Sequence, residues 1–318
     1  MLTPLHLKLL AAGATALLSF ASLVWQKNEK SGRGRLLRSH DDNMLDAART
    51  LNRGAGLLAF SVAADSAIEH YRGDFHNPAM FTPLMTSALS VLLSIQGQRT
   101  AARANSWPRN TVYIGSVLTG LAGTGFHLYN LTRRPGGVCW GNVFHAAPIG
   151  APAALVLSGA LGHYAERLRA ETRDVIPRVL GLPPAESVGV LAAVGLIGIS
   201  LETWLLHFRG AFQNPAMYIP VSIPPLAAGL LLASVAAGTA YVRLRWLSRW
   251  LLRFTALMGL AGIAFHSLGV ARNHGGWRNW RQNLQSGPPL PAPPSFTGLA
   301  LAGLAAHSLL EDPRSVAS

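Results

Sequence analysis

Four histidines stand in two pairs of matched settings, and imidazole is well suited to hold a transition metal or the iron of a haem. His70 opens the run His70-Tyr71-Arg72-Gly73-Asp74-Phe75-His76-Asn77-Pro78-Ala79-Met80. His207 opens a second, His207-Phe208-Arg209-Gly210-Ala211-Phe212-Gln213-Asn214-Pro215-Ala216-Met217, 137 residues later. The segment Gly120-Leu121-Ala122-Gly123-Thr124-Gly125-Phe126-His127 returns as Gly259-Leu260-Ala261-Gly262-Ile263-Ala264-Phe265-His266, at an offset of 139. Each is followed by Gly-Gly and Trp-x-Asn: Gly136, Gly137, Trp140 and Asn142, then Gly275, Gly276, Trp277 and Asn279.

Four equivalent imidazoles can supply two bis-histidine pairs, an arrangement that carries b-type haem between membrane helices. His70, His127, His207 and His266 are then axial ligands. Gly120 and Gly123, like Gly259 and Gly262, precede their histidine on one helical face and would let a flat macrocycle approach, although such stripes also serve close helix packing. Arg72 and Arg209 follow a histidine by two residues, where a guanidinium pairs with a haem propionate or snorkels to lipid phosphate. The same histidines suit copper or non-haem iron, and Met80 and Met217 would add thioethers for Cu(I) or simply fill apolar space.

Asp65 and Glu202 each precede a histidine by five residues, and acids inside apolar stretches mark proton or quinone sites, or hydrogen bonds between helices. Five residues turn a helix by about 500°, so acid and histidine point roughly 140° apart and do not chelate one ion from one helix. Glu69 has Leu206 as its counterpart, and His76 has Gln213. A histidine near a helix end has a plainer use, bonding orphan carbonyls or headgroups. Four at equivalent places in halves that have otherwise diverged favour a shared binding role.

The elements that position these residues are membrane helices. Of the 318 residues 50% are hydrophobic and 13% charged, about half the charge of ordinary soluble domains. Apolar runs of roughly twenty residues, enough to cross a bilayer core, lie at Leu7 to Trp25, Gly54 to Tyr71, Ala79 to Ile95, Thr111 to Tyr129, Ala146 to His163, Ser187 to Phe208, Ala216 to Ala236, Leu251 to Val270 and Phe296 to Leu310. The expected fold is all-α: a polytopic transmembrane bundle of nine spans, with one N-terminal anchor helix and two four-helix repeats. Residues 1–50 hold the anchor, read as uncleaved, and a basic connection; 51–180 and 181–318 hold the repeats. Four spans per repeat is an even number, so the repeats run parallel, related by an axis along the membrane normal.

The net charge of +13 would suggest nucleic acid if it were spread over one surface, but its placement follows the helix connections instead. With alternate connections assigned to opposite sides, nineteen Lys and Arg fall on one side and eight on the other. Positive charge is retained in the cytoplasm, which puts the N-terminus and all four histidines outside and the C-terminus inside a cytoplasmic (inner) membrane. The expected partners are the lipid bilayer and extracytoplasmic or membrane proteins of a complex, with no nucleic acid.

Cys139 is alone, which excludes an intrachain disulfide and any Cys-based metal cluster. Walker, dinucleotide-binding, HExxH and Gly-x-Ser-x-Gly motifs are absent from the sequence, which removes nucleotide-driven transport and common hydrolases. Three classes remain: an electron-transfer subunit of an oxidoreductase complex, a His/Met copper-handling or transport protein, and a non-catalytic scaffold. Trp140, Trp277 and Trp280 read as interfacial anchors, and the connection from Ala271 to Ser295 as a lid or docking surface. A cysteine introduced at Asp74 or Ala211 in a Cys139-free background is expected to react with an impermeant maleimide from outside intact cells. Labelling only after the inner leaflet is opened would reverse the orientation.

Overall fold

The computed structural model describes residues 40–100, 107–146, 149–170 and 182–311, and its regular elements are helices. They are α1 (His40–Arg72), α2 (Thr82–Arg99), α3 (Trp107–Thr132), the short α4 (Trp140–His145), α5 (Gly150–Ala170), α6 (Pro184–Arg209), α7 (Ile219–Ala237), α8 (Val242–Arg272), the short α9 (Trp280–Ser286) and α10 (Pro294–Leu310). Single 3-10 turns at Pro78–Phe81 and Pro215–Tyr218 lead into α2 and α7. Prolines begin α2, α6, α7 and α10, where the missing N–H costs nothing and the fixed φ suits the first turn.

The apolar stretch at Leu7 to Trp25 and the domain boundary near residue 180 lie outside the described residues. Each of the other eight stretches falls on a helix. Four segments are long and apolar enough to cross a membrane by themselves: Pro78–Arg99, Pro184–Arg209, Pro215–Ala237 and Val242–Arg272. Pro294–Leu310 is apolar but shorter. Among the remaining helices, α1 carries Asp46, Arg49, Arg53, Asp65 and Glu69 along its length, whereas α3 and α5 bury polar residues such as Tyr113, Ser116, Ser158 and Glu166 among the neighbouring helices.

Helices α1, α2, α3 and α5 close a ring in which α1 and α3 each pack on α2 and α5. Helices α6, α7, α8 and α10 close a second ring, with α6 and α8 each packed on α7 and α10. The rings join where α10 lies along α1 and α5 meets α6. At the first seam a Cβ added to Gly54 would come within 2.6 Å of the Gly298 carbonyl oxygen, and one on Gly298 within 2.7 Å of that of Gly54. Only two glycines let these backbones cross so closely.

The polarity of α2 is inverted relative to a helix of a water-soluble bundle. Helix α2 buries Ser87, Ser90, Ser94 and Gly97 and exposes Met85, Leu89, Leu92 and Ile95. Hydroxyls turned inward and Leu turned outward are what a hydrocarbon solvent selects. The chain is a helical membrane protein whose apolar outer surface faces lipid.

The interior of the first ring ends in a buried ion cluster. Glu166 on α5 lies between Arg109 of α3, whose Nε donates at 2.8 Å, and Arg169 one turn further along α5. Arg169 Nη2 also donates to the Gly97 carbonyl at 2.8 Å. Beside them Tyr113 OH donates to Asn52 Oδ1 and meets Ser94 Oγ, both at 3.0 Å. The second ring holds a hydroxyl–imidazole pair at its corresponding end, Ser248 Oγ and His307 Nε2 at 2.9 Å. Glu166→Ala is expected to cost about 3–5 kcal/mol, because it leaves two buried guanidiniums facing each other. Glu311→Ala, which removes the half-exposed partner of Arg245 and Arg249, is expected to cost under about 1 kcal/mol. Thermal unfolding of both variants in one detergent compares them.

Candidate functional site

Helices α1 and α6 end in the same way. After each, two non-glycine residues take the left-handed conformation: Asp74 and Phe75 at φ 54° and 46°, Ala211 and Phe212 at 55° and 46°. Such backbone costs energy in non-glycine residues, and rings brace it here. Phe75 stacks on Phe81 and Phe212 on Tyr218, each at 4.6 Å between centroids. Asn77 and Asn214 then accept the backbone N–H of Ala79 and Ala216, both at 2.9 Å, and start the following turn.

The histidines close these loops. His70 Nδ1 lies 2.6 Å from the Met80 carbonyl oxygen, and His207 Nδ1 lies 2.8 Å from that of Met217. His266, near the end of α8, places Nδ1 2.8 Å from the Pro289 carbonyl. A carbonyl only accepts, so Nδ1 carries the proton in all three, and in the neutral ring Nε2 keeps its lone pair. His127 occupies the matching place in α3, and the position matching Pro289 in the first half, Pro148, is outside the described residues. The ends of α6 and α8, diagonal in the second ring, bring His207 and His266 within electrostatic reach of each other.

The arginines are engaged across the two halves. Arg72 pairs with Glu69 and donates through Nε to the Leu284 carbonyl of α9 at 2.7 Å. Arg209 directs Nη2 at the Val143 and Ala146 carbonyls around α4, at 3.4 and 3.5 Å, and sits 5.4 Å over the Phe144 ring. Each half thus holds the histidine-end loop of the other. The aromatic group Trp140, Phe144, Trp204 and Phe208 covers the second of these contacts.

Asp65 and Glu202 face each other's half. Glu202 Oε1 accepts the N–H of Gly150, at the start of α5, at 2.9 Å, a helix terminus that favours negative charge. The corresponding stretch before α10 contains Pro291, which has no N–H to give; its carbonyl accepts from Ser61, which is bonded in turn to Ser295 at 2.7 Å. Asp65 lies within electrostatic reach of Glu69, Glu202 and Arg72.

One sequence expectation changes and a second holds in part. Gly120, Gly123, Gly259 and Gly262 do not open space for a macrocycle, because they receive the next helix. A Cβ on Gly120 would come within 2.6 Å of the Pro152 oxygen, and one on Gly259 within 2.7 Å of the Pro293 oxygen. A Cβ on Gly123 would meet Pro152 at 3.1 Å and one on Gly262 would meet Pro293 at 2.8 Å. The Trp-x-Asn correspondence holds in part. Asn142 donates to the Pro135 and Gly137 carbonyls at 3.0 and 2.7 Å, and the second half divides these bonds, Asn279 donating to the His274 carbonyl at 3.1 Å and Asn283 to that of Gly276 at 2.8 Å.

Met80 and Met217 act through their carbonyls, while their terminal methyls lie over Gly73 and Gly210. Among the described residues no three of His, Cys, Asp and Glu converge as a metal site. Sequence reasoning singled out neither the Pro289 carbonyl nor the Arg109–Glu166–Arg169 cluster. The available signal for the cluster was Glu166, the lone acid in an otherwise apolar and basic helix.

Replacing His207 with Phe leaves the Met217 carbonyl without its donor, at an expected cost of about 1–3 kcal/mol to the loop. Amide exchange over residues 210–218 should rise accordingly. His76→Phe, at an exposed position, should leave exchange over 73–81 within about twofold of the parent.

No protein-family model, curated protein or solved structure matches the chain, so its function has to be argued from this geometry.

Proposed function

We propose that the protein is a membrane electron-transfer subunit that binds b-type haem through His70, His127, His207 and His266. The observation that carries the proposal is the bond from Nδ1 to a loop carbonyl, seen at His70, His207 and His266. Ligating imidazoles almost always donate their other N–H in this way, which fixes the ring and leaves Nε2 basic. The pairs are His70 with His127 in the first ring and His207 with His266 in the second. Haem bound there would supply one-electron redox chemistry.

The surrounding architecture belongs to the same proposal. The chain is a nine-span protein of the inner membrane, with an N-terminal anchor and two parallel four-helix repeats, and its histidine ends are extracytoplasmic. Two rings with the same partners, two loops with the same φ values and two reciprocal arginine bonds support the duplication. Arg72 and Arg209 first hold loops, and their remaining donors can meet propionates. Asp65 and Glu202 form a proton or quinone site between the halves. Copper and non-haem iron are weaker occupants, since no third ligand converges among the described residues and the methionines are turned to packing.

A scaffold is the second reading, favoured by the glycines that receive α5 and α10 and by histidines that lock loops. The visible spectrum of the purified protein separates the two. The haem reading expects a Soret band and a reduced α band, altered when any one of the four histidines becomes Ala and unchanged in His76→Ala and His163→Ala. Full stability without visible absorption, copper or iron overturns it in favour of the scaffold. Metal without haem absorption overturns it in favour of copper or non-haem iron.

A further inference from the structure

The connections at the histidine end are basic in a way that membrane insertion does not require. Residues 127–150 and 265–295 contain no Asp or Glu, yet carry Arg133, Arg134, Arg272, Arg278 and Arg281. All five arginines are exposed, and the exposed acid at this end among the described residues is Asp74. Glu69 is already paired with Arg72. If topology alone governed charge, short extracytoplasmic connections would be depleted of arginine.

These arginines stand on ordered loops. Asn142 ties Pro135 and Gly137 below Arg133 and Arg134 through bonds of 3.0 and 2.7 Å. Asn283 bonds Gly276 at 2.8 Å and accepts from Asn273 at 3.1 Å, and Arg72 anchors Leu284 from α1 at 2.7 Å. Arg281 lies over the Trp280 ring at 5.4 Å. Trp140, Trp277 and Trp280 are exposed among them, at 55%, 46% and 53%. Arg and Trp are the residues enriched at protein interfaces, and preordered loops lose less entropy on docking. A fluid headgroup layer would need no such fixed placement.

We infer that the histidine end is a docking surface for an acidic extracytoplasmic protein, recognised by Arg133, Arg134, Arg278 and Arg281 with the exposed tryptophans between them. The same connection supplies the Pro289 carbonyl to His266, so a partner seated there lies directly over the histidine site. Its binding depends on surface charge and not on any cofactor, so failure of the haem proposal leaves it standing.

The probe is fluorescent poly-L-glutamate, with poly-L-lysine as control, added to the full chain in phosphatidylcholine nanodiscs. Poly-L-glutamate is expected to bind, to weaken as salt screens the charges, and to lose about tenfold in affinity in a variant with Arg133→Gln, Arg134→Gln, Arg278→Gln and Arg281→Gln. A control variant with Arg99→Gln, Arg167→Gln and Arg243→Gln, exposed at the other end, should lose less than about threefold. Equal losses in both variants, or no loss in the first, overturn the proposal. So does unchanged poly-L-glutamate affinity accompanied by reduced phosphatidylglycerol retention in anionic nanodiscs, which would assign the arginines to lipid.

Discussion

A helix that ends against lipid must find partners for its last carbonyls and for the loop that follows, because hydrocarbon supplies none. Loop N–H groups of Gly73, Phe75, Gly210 and Phe212 cap the helix carbonyls, and one repeated bond closes the loop, an imidazole at the helix end donating to a carbonyl of the returning segment. The bond fixes where the next helix begins, and so sets the spacing of α1 to α2 and of α6 to α7. It also chooses the tautomer of each histidine. Structural closure and preparation of a ligand nitrogen are one arrangement here, which is why the same residues serve both the scaffold and the haem interpretations.

The second organising feature is reciprocity. Arg72 of the first half holds α9, and Arg209 of the second holds the region of α4. Neither of these loops is secured by its own half alone. The deep interiors, by contrast, have gone separate ways: Arg109, Glu166 and Arg169 make a charged cluster where the second ring uses Ser248 and His307. The two rings are alike at the histidine end, where both carry the imidazole–carbonyl bond, and differ at the opposite end, where one holds an ion cluster and the other a Ser–His pair.

Much of the architecture was legible because its signals are local. The apolar runs located eight described helices, and the histidine segments announced that α1 and α6 end alike. The glycine stripe was harder to interpret, since a sequence shows which face is small but not what fills it; Pro152 and Pro293 arrive from helices 29 and 31 residues after Gly123 and Gly262. Asn283 carries no sequence signal of its own: Asn279 matches Asn142 in its bond to the residue before the Gly-Gly pair, and only the structure shows that Asn283 supplies the bond to Gly276. Glu166 was hidden because Arg residues at that end are adequately explained by topology until two of them are found around one carboxylate.

The placement of α10 bears on how the chain is assembled during synthesis. It is the last described helix, and it is almost wholly buried, lying along α1, α6 and α8. Gly54 and Ser61 on α1 therefore wait for Gly298 and Ser295, more than two hundred residues downstream. Until α10 arrives, the first ring has a polar seam facing lipid or an insertion factor. Assembly of the earliest described helix is completed only by the latest, so a ribosome that stalls before α10 leaves the second ring open and one face of α1 uncovered.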